Sequence, residues 1–354
     1  LAKWTQTPIM PTPAGEGTMF RVLAEQRNVN VIGVGLGGAT TNVYSSFDGK
    51  FVRTVSANLG MSYSICNVLK EAEMKNIMRW VPFELDEDDI SNSLRNKMIR
   101  PTTIPNTLEE LIVEQAVARE ALRLGLAHHR YLARGLRGVQ RDMGFHTMFK
   151  DTIEEYESYI ELIRIDIMCG TGGLLSHAPR RAQSALVLMD GFRPEGVTKL
   201  YQDSVFMIPH LGVLSTVHPK AAVEIFEKDC IIQLGTCIAP KGLGKEGESV
   251  VTVQTPQETV EVTYGNIKVV PLKKDEKINV KINPAKNFDV GKGIGHSYET
   301  QVEGGEVGVI IDARGRPLRM PESADERRNK LMEWFKALDA YDMSVLEKYQ
   351  KRGN

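Results

Sequence analysis

Residues 30–56 read NVIGVGLGGATTNVYSSFDGKFVRTVS, and the residues after the glycines decide the fold. Gly33, Gly35 and Gly38 formally complete G-x-G-x-x-G, a dinucleotide fingerprint. That fingerprint has to open a helix whose N-terminus receives the pyrophosphate. Here the glycines are followed by Ala39-Thr40-Thr41-Asn42-Val43-Tyr44-Ser45-Ser46-Phe47, an alternating β-branched run, then Asp48-Gly49 and Phe51–Val55. The pattern predicts strand, Gly-Gly turn, strand, turn, strand, and a Rossmann oxidoreductase is set aside. Such a turn presents backbone N–H groups and the hydroxyls of Thr40 and Thr41 to an anion, most simply a nucleotide phosphate. The residues for this role are Gly37, Gly38, Ala39, Thr40, Thr41 and Asn42. A tight turn with no ligand stays open as the alternative.

Working outward, residues 5–15 carry Pro8, Pro11 and Pro13, which predicts an extended segment. Glu16–Gln26 reads as a short helix with Met19, Phe20 and Leu23 on one face. A helix is expected over 63–80, an acidic loop over 81–90, and mostly helix over 91–144, with Thr107 as an N-cap before Glu109 and Glu110. In that helical stretch Arg119, Arg123, Arg130, Arg134, Arg137 and Arg141 share a sector of roughly 60°. This is an anion- or partner-docking stripe, or a solvated face paired with acids. Residues 162–168 read as a strand running into Gly170-Thr171-Gly172-Gly173 and a helix, a geometry that can face the nucleoside side of a nucleotide. Further on, 204–214 reads as an interrupted strand, 219–230 as a helix and 231–238 as a buried strand. After the polar stretch 241–248, short strands over 250–254, 259–264, 267–272, 278–282 and 306–312 suggest a small β-domain. A final helix over 323–349 has Leu331, Trp334, Phe335 and Leu338 as its inner face.

The chain has 354 residues, 42% hydrophobic and 25% charged, with a formal net charge of -1. That length allows two or three domains, and that charge predicts no general affinity for nucleic acid or an anionic membrane. No apolar run is long enough for a spanning helix, and the first residues show no secretory signal. Cys66, Cys169, Cys230 and Cys237 are scattered without a CxxC pair, so a reduced, cytoplasmic chain is expected and no metal site.

Several blocks together resemble one family along nearly the whole chain. They are TPIMPTP (7–13), GLGGATTNVYS (35–45), RTVSANLGMS (53–62), GTGGLLSHAPR (170–180), the run 194–231, FDVGKGIG (288–295) and VIIDARGRPL (309–318). They resemble the MutL-type accessory-protein family of methylaspartate (glutamate) mutase, within the actin/Hsp70/sugar-kinase superfamily. The resemblance implies an α/β, actin-like (ribonuclease H-like) ATPase lobe over 29–245, following an extended entry segment and short helix over 1–28. A mostly helical insertion would occupy 84–160, with a small β-domain over 249–320 and a C-terminal helix over 321–354. It also implies ATP with magnesium as cofactor and a chaperone-like, reactivating role for an adenosylcobalamin-dependent mutase. The expected partner is that mutase or a subunit supplying a first ATPase lobe, in an oligomer. The family's hairpin carries an aspartate on each side of GGATT, and here those positions are Gly35 and Asn42. No catalytic residue is therefore assigned, and a non-hydrolysing pseudo-ATPase scaffold stands as the alternative. Family members carry a first lobe upstream of the TPIMPTP segment, expected here as missing, separate or lost. Replacing Gly35 and Asn42 with aspartate is expected to raise magnesium-nucleotide affinity or turnover.

Overall fold

The computed structural model describes residues 9–133 and 158–350. Helix α1 (Thr12–Arg27) begins earlier than its prolines suggest. Pro11 is the N-cap and Pro13 lies in the first turn, where a missing N–H leaves no intrahelical bond unmade. Strands β1 (Val31–Leu36), β2 (Thr41–Phe47) and β3 (Lys50–Ser56) form the expected hairpins. Asp48 and Gly49 both take positive φ, as a two-residue turn matched to strand twist requires. No helix follows the glycines, which removes the dinucleotide reading.

Beyond β3 the chain forms α2 (Ile65–Ala72), α3 (Met74–Met78), α4 (Glu87–Ile99) and α5 (Leu108–Leu132). The single helix expected over 63–80 is broken at Glu73, whose φ is 64°. The acidic stretch is a helix start rather than a loop. Asp86 accepts from the backbone N–H groups of Asp88 (2.8 Å) and Asp89 (3.2 Å), and Glu87, Asp88 and Asp89 fill the first turn. Thr107 caps α5 as expected, accepting from Glu110 N–H at 3.1 Å.

Strand β4 (Ile167–Thr171) starts later than the sequence suggests, after a short 3-10 turn at Leu162–Arg164. The elements α6 (Gly173–Ser176), α7 (Arg181–Phe192) and β5 (Gly196–Asp203) come next. Residues 208–215 are helix α8 (Ile208–Ser215), not strand. An apolar run of that length does not tell strand from buried helix by periodicity, and Pro209 fits a first helical turn. Helix α9 (Pro219–Ile225) leads into β6 (Ile231–Ala239).

The strands β7 (Ser249–Gln254), β8 (Thr259–Thr263), β9 (Ile267–Val270), β10 (Lys277–Pro284), β11 (Tyr298–Glu303) and β12 (Gly308–Asp312) do not form one unit. β9 and β12 extend an eight-stranded sheet of order β3-β2-β1-β4-β5-β6-β12-β9, and the others make a second sheet, β11-β10-β7-β8. The reason lies in burial. Every residue of β12 is buried, with Ile310 in the main core and Val309 and Ile311 in the apolar layer shared with the small sheet. Two helices, α10 (Ala324–Ala337) and α11 (Met343–Gln350), replace the one expected, with a break at Asp339, φ 50°. The inner face of α10 is as expected: Leu331, Trp334, Phe335 and Leu338 are buried.

The large sheet has two dressed faces. On one, α5 approaches β2 so closely that a Cβ on Gly125 would sit 2.9 Å from Thr41 Cγ2. On the other, Phe20 of α1 fills the space above Gly33, and α8 crosses α1 backbone to backbone at Gly15 and Gly212. β1, β4 and β5 are mutually parallel, so their carboxyl ends open on one edge. In open α/β sheets, ligands bind outside that edge.

Candidate functional site

The turn 37–40 stands at this edge and is held from behind. Gly37 N–H donates to Thr40 O at 2.9 Å. The Gly37 and Gly38 carbonyls accept from Met61 and Ser62 N–H, each at 2.9 Å. Gly60 admits this contact, since a Cβ there would lie 2.3 Å from the Ala39 carbonyl carbon. The carbonyls are thus consumed, whereas the N–H groups of Gly38, Ala39 and Thr40 have no acceptor among the described residues. Gly38 and Ala39 are exposed. Consecutive unpaired N–H groups at a surface turn are the donors from which anion-binding concavities are built.

Of the other hairpin residues, Thr41 is turned inward. Its hydroxyl donates to the Leu59 carbonyl and it is fully buried, so Thr40 is the threonine left at the turn. Asn42 is buried beneath the turn. The residues expected on the nucleoside side separate in the same way. Gly170 faces the core, where a Cβ would meet Leu175 and Leu188. The Thr171 hydroxyl donates to Asp203 Oδ2 at 3.0 Å, out of solvent. Gly172, with φ 108°, lies against the end of β1, where a Cβ would be 2.1 Å from Leu36 O. Only Gly173 is exposed, with open space around it. The structure therefore brings 38–40 and 172–173 to one edge and withdraws Thr41, Asn42, Gly170 and Thr171 into its support.

Beneath the turn lies a polar cluster that the motifs do not mark. Glu16 of α1 is 2% exposed and accepts from the Tyr44 hydroxyl at 2.5 Å. Its signal in the sequence is a carboxylate on the apolar face of α1, in line with Met19, Phe20 and Leu23. Asp203, at the end of β5, accepts through Oδ1 from Val205 and Met207 N–H and through Oδ2 from Ile208 N–H, holding the start of α8.

Burial pushes the Glu16 carboxyl up from 4.5 to about 7, against the hydrogen bonds from Tyr44 and Asn42. The folded chain thus keeps a proton that the unfolded chain releases. Glu16 costs nothing below its unfolded value of 4.5, and its cost grows as pH rises to about 7. Burial pushes His129 the other way, down to about 3, so its contribution rises with pH. Glu16→Gln removes the first effect and leaves the second. The variant should gain stability over the wild type by about 3 kcal/mol between pH 4.5 and about pH 8 in urea titrations. A difference independent of pH would contradict the burial argument.

The arginine stripe is not a uniform docking face. Arg119 is buried and its Nε donates to Asp190 at 2.7 Å. Arg123 donates to Glu120 at 2.7 Å, and Arg79 to the same carboxylate at 2.6 Å. Arg130 is half-buried; Arg134, Arg137 and Arg141 lie outside the described residues. The histidines beside the stripe are bolts. His129 bridges the hydroxyls of Thr54 and Ser45 at 2.8 Å each, and His128 meets Ser56 at 2.9 Å, tying α5 to β2 and β3. Cys230 and Cys237 belong to different apolar layers. No group of three or more His, Cys, Asp or Glu that could hold a metal ion is found among the described residues. No described helix is long and apolar enough to cross a membrane.

Comparison with known proteins bears on this hairpin-bearing part of the chain. The family described as MutL protein matches residues 1–230. Protein MutL of Clostridium tetanomorphum is 25% identical over 249 residues, covering 62% of this chain and 50% of that protein. The chain spans about half the length of this curated relative. With the match running through the hairpin, the Gly170–Gly173 turn and α8, the chain belongs to the MutL protein family, the one its motifs resemble.

Proposed function

We propose that this chain is the nucleotide-binding lobe of a mutase accessory protein, taking the phosphates of ATP on the N–H groups of Gly38, Ala39 and Thr40. The observation that carries this reading is the turn itself: carbonyls tied back, N–H groups without acceptors, at the carboxyl ends of three parallel strands. The order β3-β2-β1-β4-β5, antiparallel through β1 and parallel beyond it, is the one expected of an actin-like, ribonuclease H-like ATPase lobe. The lobe runs over 29–245, with β9 and β12 added to its sheet. Gly173 borders the nucleoside side. A nucleotide phosphate fits the turn, but the turn has no carboxylate of its own. Magnesium would reach it on the phosphate oxygens with its waters, as that ion prefers. In the cell the lobe serves the reactivation of an adenosylcobalamin-dependent mutase, with ATP shifting it between states that hold and release the partner.

Titration calorimetry with magnesium-ATP tests this. Binding is expected, and Ala39→Asp, a carboxylate placed at an exposed position among the donors, should weaken it at least about tenfold. Equal affinity in wild type and variant would move the phosphate elsewhere. The alternative, a non-hydrolysing scaffold, is favoured by Gly35 and Asn42 and by the engagement of Asp203 in holding α8. Binding without turnover in the presence of the mutase selects the scaffold, and turnover excludes it.

A further inference from the structure

Gly35 is the next-to-last residue of β1, paired with Asn42 on β2 and Thr171 on β4. A Cβ built on it would lie 2.4 Å from Glu16 Oε2 and 3.1 Å from Glu16 Cδ. The side-chain volume that this strand position would own is therefore filled by a carboxylate from α1. The fit is held from several sides. Tyr44 donates to the same oxygen, the Asn42 amide hydrogen-bonds the carboxylate, and Asp203 is close enough to oppose its ionisation.

A buried carboxylate is costly, and the hydrogen bonding around it is incomplete. Asn42 is 4% exposed, yet its Oδ1 has no partner among the described residues. An orphaned acceptor beside a carboxylate is the pair that one water, donating to both, would satisfy. The corner also has an address. Asn42 lies two residues from Thr40 and Gly35 two from Gly37, at the base of the turn whose N–H groups have no acceptor among the described residues.

We propose that Glu16 is the carboxylate of the phosphate site, a positioning residue that reaches the end of β1 through the space left by Gly35. With Asn42 Oδ1 it would accept the protons of a water carried by the magnesium of the nucleotide bound at Gly38, Ala39 and Thr40. The inference rests on the phosphate reading of the turn. It also reverses the expectation for Gly35. An aspartate there does not add a missing acid; it sets a second carboxylate against the first, within overlap distance.

The test exchanges one acid for the other in the full chain, with magnesium-ATP as the probe. Glu16→Ala should weaken binding at least about tenfold, and Gly35→Asp alone should lower both the melting temperature and the affinity. The double variant Glu16→Ala/Gly35→Asp should melt above Gly35→Asp and recover affinity to within about threefold of the wild type. A merely structural Glu16 would show no such recovery of affinity. The inference is overturned if Glu16→Ala binds as the wild type does. It is also overturned if the double variant neither melts above Gly35→Asp nor binds better than Glu16→Ala. Loss of all binding in the wild type would instead overturn the phosphate reading. In that event the melting comparison still decides whether the two carboxylates occupy one place.

Discussion

Asp312→Asn should lower the free energy of unfolding by about 3–5 kcal/mol, read from urea denaturation at neutral pH. Asp312 ends β12 with no exposure and joins two guanidiniums. Its Oδ1 accepts from Arg314 Nε at 2.9 Å, and its Oδ2 from Arg314 Nη2 at 2.8 Å and Arg316 Nη2 at 2.7 Å. Arg314 also donates to Asp190 at 2.7 Å, and Asp190 accepts from Arg119 at 2.7 Å. The chain of charges thus runs from α5 through α7 to the end of β12, with Arg314 stacked 4.8 Å from the Trp334 ring. Removing one buried carboxylate leaves Arg314 and Arg316 undercompensated, which is why breaking such a network costs more than it gained in forming. A loss below about 1 kcal/mol would show that water replaces the carboxylate.

The same network sets an acid limit. Burial pushes the Asp312 carboxyl upward, but Arg314 and Arg316 more than offset it and hold it well below the usual carboxylate range. Its stabilisation is complete above the unfolded value of 3.8 and is lost as pH falls below it. The wild type should therefore lose stability in strong acid more steeply than Asp312→Asn.

Gly212→Ala should cost about 3 kcal/mol and also weaken magnesium-ATP binding. A Cβ on Gly212 would lie 1.8 Å from Gly15 O and 2.5 Å from Gly15 C, backbone atoms that no rotamer change relieves. Helices α1 and α8 must then separate. Glu16 follows Gly15 in the chain, so α1 moves off the sheet carrying the carboxylate away from Gly35. Thermal melting with calorimetry separates the two effects, and an unchanged melting temperature would contradict the close crossing. Ala at Gly173, a glycine with open space around it, is the control for the melting temperature alone.

What the sequence determined by itself is local. Alternation and Asp48-Gly49 made the hairpins legible, because side-chain period and positive φ are properties of a few neighbouring residues. The Thr107 cap and the inner face of α10 were legible for the same reason. The arginine sector was visible as a sector, but whether it met water depended on Asp190, 71 residues beyond Arg119. The run around Pro209 was equally apolar as strand or helix, and its contact with α1 decided for helix. β9 and β12 looked like members of a small β-domain, since alternation does not say which sheet an edge will meet. The hairpin acids show the limit most sharply. Gly35 and Asn42 read as losses, because a sequence motif records only what its own strand supplies. Tertiary structure decided what fills the place of the first. It placed Glu16, nineteen positions earlier in the chain, into the volume that Gly35 leaves. Space in a close-packed interior is filled by whatever the fold brings near, and chain order does not encode that proximity.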